Sequence, residues 1–182
     1  NHPQLGKLEI GGWKRKFIAP VALAFHERHT QEAALADFKD LLLKRLGRPE
    51  DPETEDRAEA MLRMIEERSG LIHEPSPGRY SFPHLTFQEY LAAWSLGEQD
   101  DYAGHLPGRA GDPWWREVIL LEAAHLSVSS DERTSRFIDR LLTCARPRSP
   151  EHYRNLVLAA QCLVFCNRDH VEWDLWQCVT EE

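Results

Sequence analysis

The 182-residue sequence has no run of about eighteen apolar residues, so no segment of it has the length and character of a transmembrane helix. Its start, Asn1-His2-Pro3-Gln4, has no basic stretch leading into an apolar one and so does not read as a secretory signal. It also lacks an initiator Met, and the chain reads as an excerpt of something longer. Cysteine is scarce: Cys144, Cys162, Cys166 and Cys178 all fall in the last third, and none forms a CxxC pair. A disulfide framework and a thiolate zinc site both lack their usual spacing, so a reducing, cytoplasmic setting is expected. Positive charge is short as well, with 22 Lys and Arg against 30 Asp and Glu, for a net charge of −8. The one dense basic cluster is Lys14-Arg15-Lys16, a poor basis for gripping a nucleic-acid backbone.

Motifs of chemistry are missing too. No GxxxxGK[ST] phosphate loop and no GxSxG elbow occurs. His26-Glu27-Arg28-His29 resembles a metalloprotease helix, but its histidines are three positions apart, whereas HExxH sets them four apart on one helix face. No catalytic residue and no metal-ligating set is expected, and the chain does not read as an enzyme by itself.

What is present is a foldable chain, 42% hydrophobic and 29% charged. The pattern is mainly helical. A buried helix is expected over 17–29, with Pro20 in its first turn, where a missing N–H costs little. Thr30 is placed to cap a second helix that holds Ala33, Ala34, Phe38 and Leu42 and stops at Gly47. A third is expected over 53–68, with Ala58, Met61, Leu62 and Ile65 as its buried stripe. The period then changes. Residues 71–74 and 79–82 read as short strands around the turn Pro75-Ser76-Pro77-Gly78, a small two-stranded wing. Thr86-Phe87-Gln88-Glu89 has the capping-box pattern and opens a fourth helix. Three helices followed by a wing is a winged-helix layout, expected over 1–98.

The remainder, 99–182, reads as HEAT-like helices with polar breaks. Asp112-Pro113, Ser130 or Asp131, Ser149-Pro150 and Asp169 mark the helix starts, the last of these opening a helix with Trp173 and Trp176.

His84 lies between the second wing strand and the helix at 86. A helix N-terminus presents free amides and partial positive charge, so an imidazole there suits an anion such as a phosphate. A structural histidine joining strand to helix is the alternative from the local sequence.

The residues around it carry a resemblance. Ser69-Gly70-Leu71-Ile72 and the run Tyr80-Ser81-Phe82-Pro83-His84-Leu85-Thr86-Phe87-Gln88-Glu89-Tyr90-Leu91-Ala92-Ala93 look like the winged-helix end of a NACHT-type signal-transduction NTPase. Trp115-Arg116-Glu117-Val118-Ile119-Leu120 is similar to the start of the helical segment that follows it in that family. The resemblance spans about 17–126, and Pro83 departs from the aliphatic residue usual before the His. It implies that His84 touches the β-phosphate of bound ADP and holds a closed, inactive state. It also implies a P-loop NTPase domain as intramolecular partner and ADP or ATP with Mg in the full-length protein. Homo-oligomerisation on activation and a C-terminal helical sensor for an unidentified ligand, in signal transduction or defence, follow from it as well. Thr86 and Glu89 are expected as caps, and Phe82, Phe87, Tyr90 and Leu91 as core. Two further readings stand beside it. One is a winged-helix nucleic-acid binder that uses the helix expected over 31–46. The other is a helical protein-interaction scaffold anchored by Trp173 and Trp176.

Overall fold

The computed structural model describes residues 12–46, 72–166 and the single positions 56, 60, 63 and 179. The chain divides into two compact units, Asn1–Ser95 and Leu96–Glu182.

The first unit opens with α1, Gly12–Glu27. Ile18, Ala19, Val21, Ala22 and Phe25 are buried on it, as the broad apolar run requires. The helix begins earlier than expected, so Pro20 lies inside it rather than in its first turn. There the ring removes the donor that the Lys16 carbonyl would use, at a cost of about 3 kcal/mol. Burial of the flanking apolar residues offsets this, since each large one contributes about 1.5–3 kcal/mol.

The helix ends in a Schellman turn. The Thr30 N–H donates to the Phe25 carbonyl at 3.1 Å, and His29 takes the left-handed φ of 52°. A residue with a Cβ is strained there. His29→Gly should therefore raise stability by about 0.5–1 kcal/mol, net of the added freedom of the unfolded chain. A urea midpoint below that of wild type would show that the His29 side chain contributes more than its backbone costs.

The expected second helix starts late. Thr30 does not cap it: its hydroxyl donates to the Glu32 carbonyl at 2.7 Å and accepts from the Glu32 N–H at 3.3 Å. Glu32–Ala34 forms a strand, β1, and helix α2 runs over Leu35–Leu46. The wing therefore has three strands, not two. β2 (His73–Ser76) and β3 (Arg79–Ser81) form the hairpin, and the antiparallel order is β1-β3-β2. Ala33 faces Tyr80 across the β1–β3 register. Pro77 and Gly78 make the two-residue turn. Proline fixes φ near −65° and Gly78 has φ 74°, the type II combination that needs glycine in second place. The Gly78 N–H donates to Glu74 Oε1 at 2.5 Å.

The core of this unit centres on Phe25. Its ring meets Phe38 edge-on at 5.6 Å and Phe82 at 6.0 Å. Edge-to-face pairs of this kind each add about 0.5–1.5 kcal/mol beyond area burial. Asp56, Ala60 and Arg63 are helical and exposed, marking the outer face of the helix expected over 53–68. Its predicted inner stripe, Ala58, Met61, Leu62 and Ile65, and the stop at Gly47 lie outside the described residues. Helix α3, Leu85–Gly97, follows the wing.

The second unit holds a four-residue helix α4 (Leu106–Arg109), a 3-10 turn (Pro113–Trp115), and three longer helices. These are α5 (Arg116–Ser129), α6 (Asp131–Thr143) and α7 (Pro150–Phe165). Their starts follow local chemistry. The Asp112 carboxylate accepts from the Trp114 N–H at 2.9 Å, Ser130 Oγ from the Arg133 N–H at 3.3 Å, and Ser149 Oγ from the His152 N–H at 3.1 Å. The three helices pack on one another around Ile119, Leu126, Phe137, Ile138, Leu141 and Cys162. Buried Asn155 donates from Nδ2 to the Leu141 carbonyl at 3.1 Å, satisfying an acceptor at the end of α6. Tyr153 and Val157, in the apolar pattern of α7, face outward at 55% and 59% exposure. Cys144, Cys162 and Cys166 are free thiols. The start at Asp169 and the residues Trp173 and Trp176 lie outside the described residues.

Candidate functional site

His84 is displayed by the elements on either side. Phe82 is buried against Phe25, and Pro83 restricts the backbone before it to extended geometry. The chain then bends at Pro83 and His84 and enters α3 at Leu85. The buried side of α3 anchors the helix through Gln88, Glu89, Leu91, Ala92 and Ala93. Gln88 donates from Nε2 to the Thr30 carbonyl at 3.0 Å, which ties the first turn of α3 to the turn that ends α1.

The first turn of α3 suits an anion. The Phe87 N–H donates to the His84 carbonyl at 3.1 Å. The N–H groups of Leu85 and Thr86 precede that bond and have no carbonyl a turn back within the helix. No acidic residue lies in the first turn. His84 is exposed, with its ring stacked on Phe87 at 6.1 Å between centroids and 25° between planes. An imidazole at the cap position and the amides of Leu85 and Thr86 are donors of the kind an anionic oxygen accepts.

Two expectations for this segment are corrected. The helix starts at Leu85, so Thr86 lies within its first turn and is not the cap residue; His84 stands at the cap position, and Glu89 lies a turn further on. Phe82 and Leu91 are core, but Phe87 and Tyr90 are not: they are 42% and 41% exposed. The helix buries its 88, 91, 92 and 95 side, which turns 87 and 90 to the outside. The structure thus adds Phe87 to the surroundings of His84. The signal in the sequence was the three-residue spacing between them.

A second polar cluster lies in the C-terminal unit. His105 Nε2 and Glu122 Oε2 are 2.8 Å apart, and the Glu122 side chain is fully buried. Burial pushes the Glu122 carboxyl well above its usual range, against the pull of Arg109 and Arg133. Burial likewise lowers His105 to about 4, with the Arg109 charge acting in the same direction and the Tyr102 backbone opposing both. Both shifts favour the uncharged forms, in which a protonated Glu122 donates to the Nε2 of a neutral imidazole. The guanidinium of Arg109 lies 3.9 Å from the centre of the Trp115 ring and that of Arg133 4.3 Å from the centre of Tyr102. This cluster was not legible in advance. His105 sits in a polar connector, and Glu122 is a lone acid on the 118, 119, 122, 123, 126 stripe of α5, whose period was its only sign. Among the described residues no group of His, Cys, Asp and Glu is arranged to hold a metal ion, and no helix is long and apolar enough to cross a membrane.

Helices α1 and α2, the three-stranded wing and α3 define a winged-helix domain, and a helical unit follows it. Residues 7–96 match the family model described as the winged helix-turn-helix domain C-terminal to NACHT. This segment, which contains both His84 and Phe87, is a NACHT-associated winged-helix domain, and the 182 residues include no GxxxxGK[ST] motif. No curated protein and no solved structure matches it.

Proposed function

We propose that this chain is the regulatory switch of a NACHT-family signal-transduction ATPase. In this reading it couples an ADP-held, autoinhibited state to a C-terminal helical sensor, in the cytoplasm, as part of signalling or defence. The observation that carries the reading is the exposed imidazole of His84 at the start of α3, inside a segment of a NACHT-associated family.

Bound ADP, held elsewhere by a P-loop domain with Mg, supplies a diphosphate anion to this surface. His84 would hold a phosphate oxygen through a ring N–H, with the free amides of Leu85 and Thr86 beside it. Phe82 and Gln88 fix the backbone on which the imidazole stands. Release of the contact frees the winged helix from the NTPase domain and permits nucleotide exchange and homo-oligomerisation. The sensed ligand shifts this equilibrium only through its different affinities for the two states.

The nucleic-acid reading has less to support it. Helix α2 exposes Asp37 and Asp40, and Asp40 pairs with Lys44 at 2.7 Å. The test of the switch reading is the nucleotide content of the full-length protein after gel filtration. Wild type should carry ADP and elute as a monomer, and His84→Ala should lose ADP and move toward larger species. Equal ADP content in the two proteins would contradict the reading.

A further inference from the structure

We infer that Phe87 is a positioning residue for His84. Its ring holds the imidazole in the orientation that a phosphate oxygen meets. The inference rests on the switch reading for what the imidazole contacts, but the stacking itself stands on geometry.

Phe87 is 42% exposed on a helix that otherwise has apolar positions to bury, so packing of the core does not explain it. Side chains on an α-helix lean toward its N-terminus, and a residue at i+3 covers the turn below it. From the first turn of α3 that rule puts the Phe87 ring over His84. The rings lie nearly parallel, 25° apart, with centroids 6.1 Å apart. The Phe87 N–H also donates to the His84 carbonyl at 3.1 Å, a main-chain bond that Phe87→Leu keeps, so the ring alone is what that substitution removes. With centroids 6.1 Å apart the nearly parallel rings are offset, so the contact takes up only part of one imidazole face. An unstacked, exposed imidazole samples several rotamers, and only a fraction of them presents a ring N–H beside the Leu85 and Thr86 amides. Phe87 therefore raises the fraction of His84 that is ready to bind, without touching the anion.

The test uses Phe87→Leu, which keeps the bulk but removes the flat ring, and Phe87→Tyr, which restores the ring. In this 182-residue chain, NMR of the His84 ring protons should show a ring-current shift in wild type and in Phe87→Tyr that disappears in Phe87→Leu. In the full-length protein, Phe87→Leu should speed ADP release about three- to tenfold, the span expected for one aromatic contact, and Phe87→Tyr should restore it. Combined with His84→Ala, Phe87→Leu should add nothing further. Equal His84 shifts in wild type and Phe87→Leu would overturn the stacking. Multiplying effects in the double variant would show that Phe87 acts apart from His84 and overturn the positioning role. If His84→Ala alone leaves ADP release unchanged, the switch reading fails, while the NMR result still decides the stacking.

Discussion

Glu122→Ala should lower the unfolding free energy of the C-terminal unit by about 3 kcal/mol, a large share of the 5–15 kcal/mol typical of a whole domain. The variant removes side-chain packing from α5 and leaves His105 Nε2 without its partner in a site closed by Trp115 and Phe137. Glu122→Gln should be far milder, because an amide N–H can donate to the same nitrogen. The two variants together separate the loss of packing and hydrogen bond from the loss of the titratable proton.

The pH dependence identifies the protonation state. The native pKa of Glu122 lies above its usual 4.5, so the native state holds that proton more tightly than the unfolded chain. Its contribution is full below about 4.5 and is lost as pH rises toward the native value. His105 works the other way. Its native pKa of about 4 lies below the usual 6.5, so stability is lost as pH falls through that window, by up to about 3 kcal/mol at the conversion of 1.36 kcal/mol per unit. Between about 4.5 and 6.5 the two slopes oppose each other. The free-energy difference between Glu122→Gln and wild type should therefore move in favour of the variant as pH rises above about 4.5, because the variant has no carboxyl proton to lose. A difference that does not change with pH would mean that Glu122 keeps its ordinary pKa in the native state.

His84→Ala has the larger consequence for function. A charge-assisted hydrogen bond to phosphate is worth about 1.5–3 kcal/mol, so its loss should weaken ADP retention about ten- to hundredfold. In the full-length protein the expected result is a higher basal activity without the sensed ligand. Thermal unfolding of the winged-helix unit should change little, because the His84 side chain is exposed and the neighbouring core rests on Phe25, Phe38 and Phe82. An unfolded variant would make the functional result uninterpretable, so the unfolding curve and the activity are measured on the same preparation.

The parts of this fold legible in the sequence are those set by local chemistry. Asp112, Ser130 and Ser149 open helices because their side chains reach the amides two or three residues on, and that reach is written in the sequence. Strand β1 was hidden. Glu32-Ala33-Ala34 has little intrinsic strand preference, and pairing with β3 imposes the extended form. The early start of α1 was hidden as well, because Pro20 reads as a helix start and only tertiary burial lets the helix run through it.

The site divides in the same way. His84 was visible through the motif around it. The role of Phe87 depends on the rotation of α3, and a helix with apolar residues on nearly every side does not declare its rotation. His105 and Glu122 are seventeen positions apart in sequence, and only the packing of α5 brings them together.

In the proposed switch, His84 grips ADP. Its most direct test is the dissociation rate of fluorescent ADP from the full-length protein, compared between wild type and His84→Ala at one salt concentration. The account predicts release from the variant about ten- to hundredfold faster, with the C-terminal unit unchanged in stability. Identical dissociation rates would contradict it and leave His84 as a histidine that only joins the wing to helix α3.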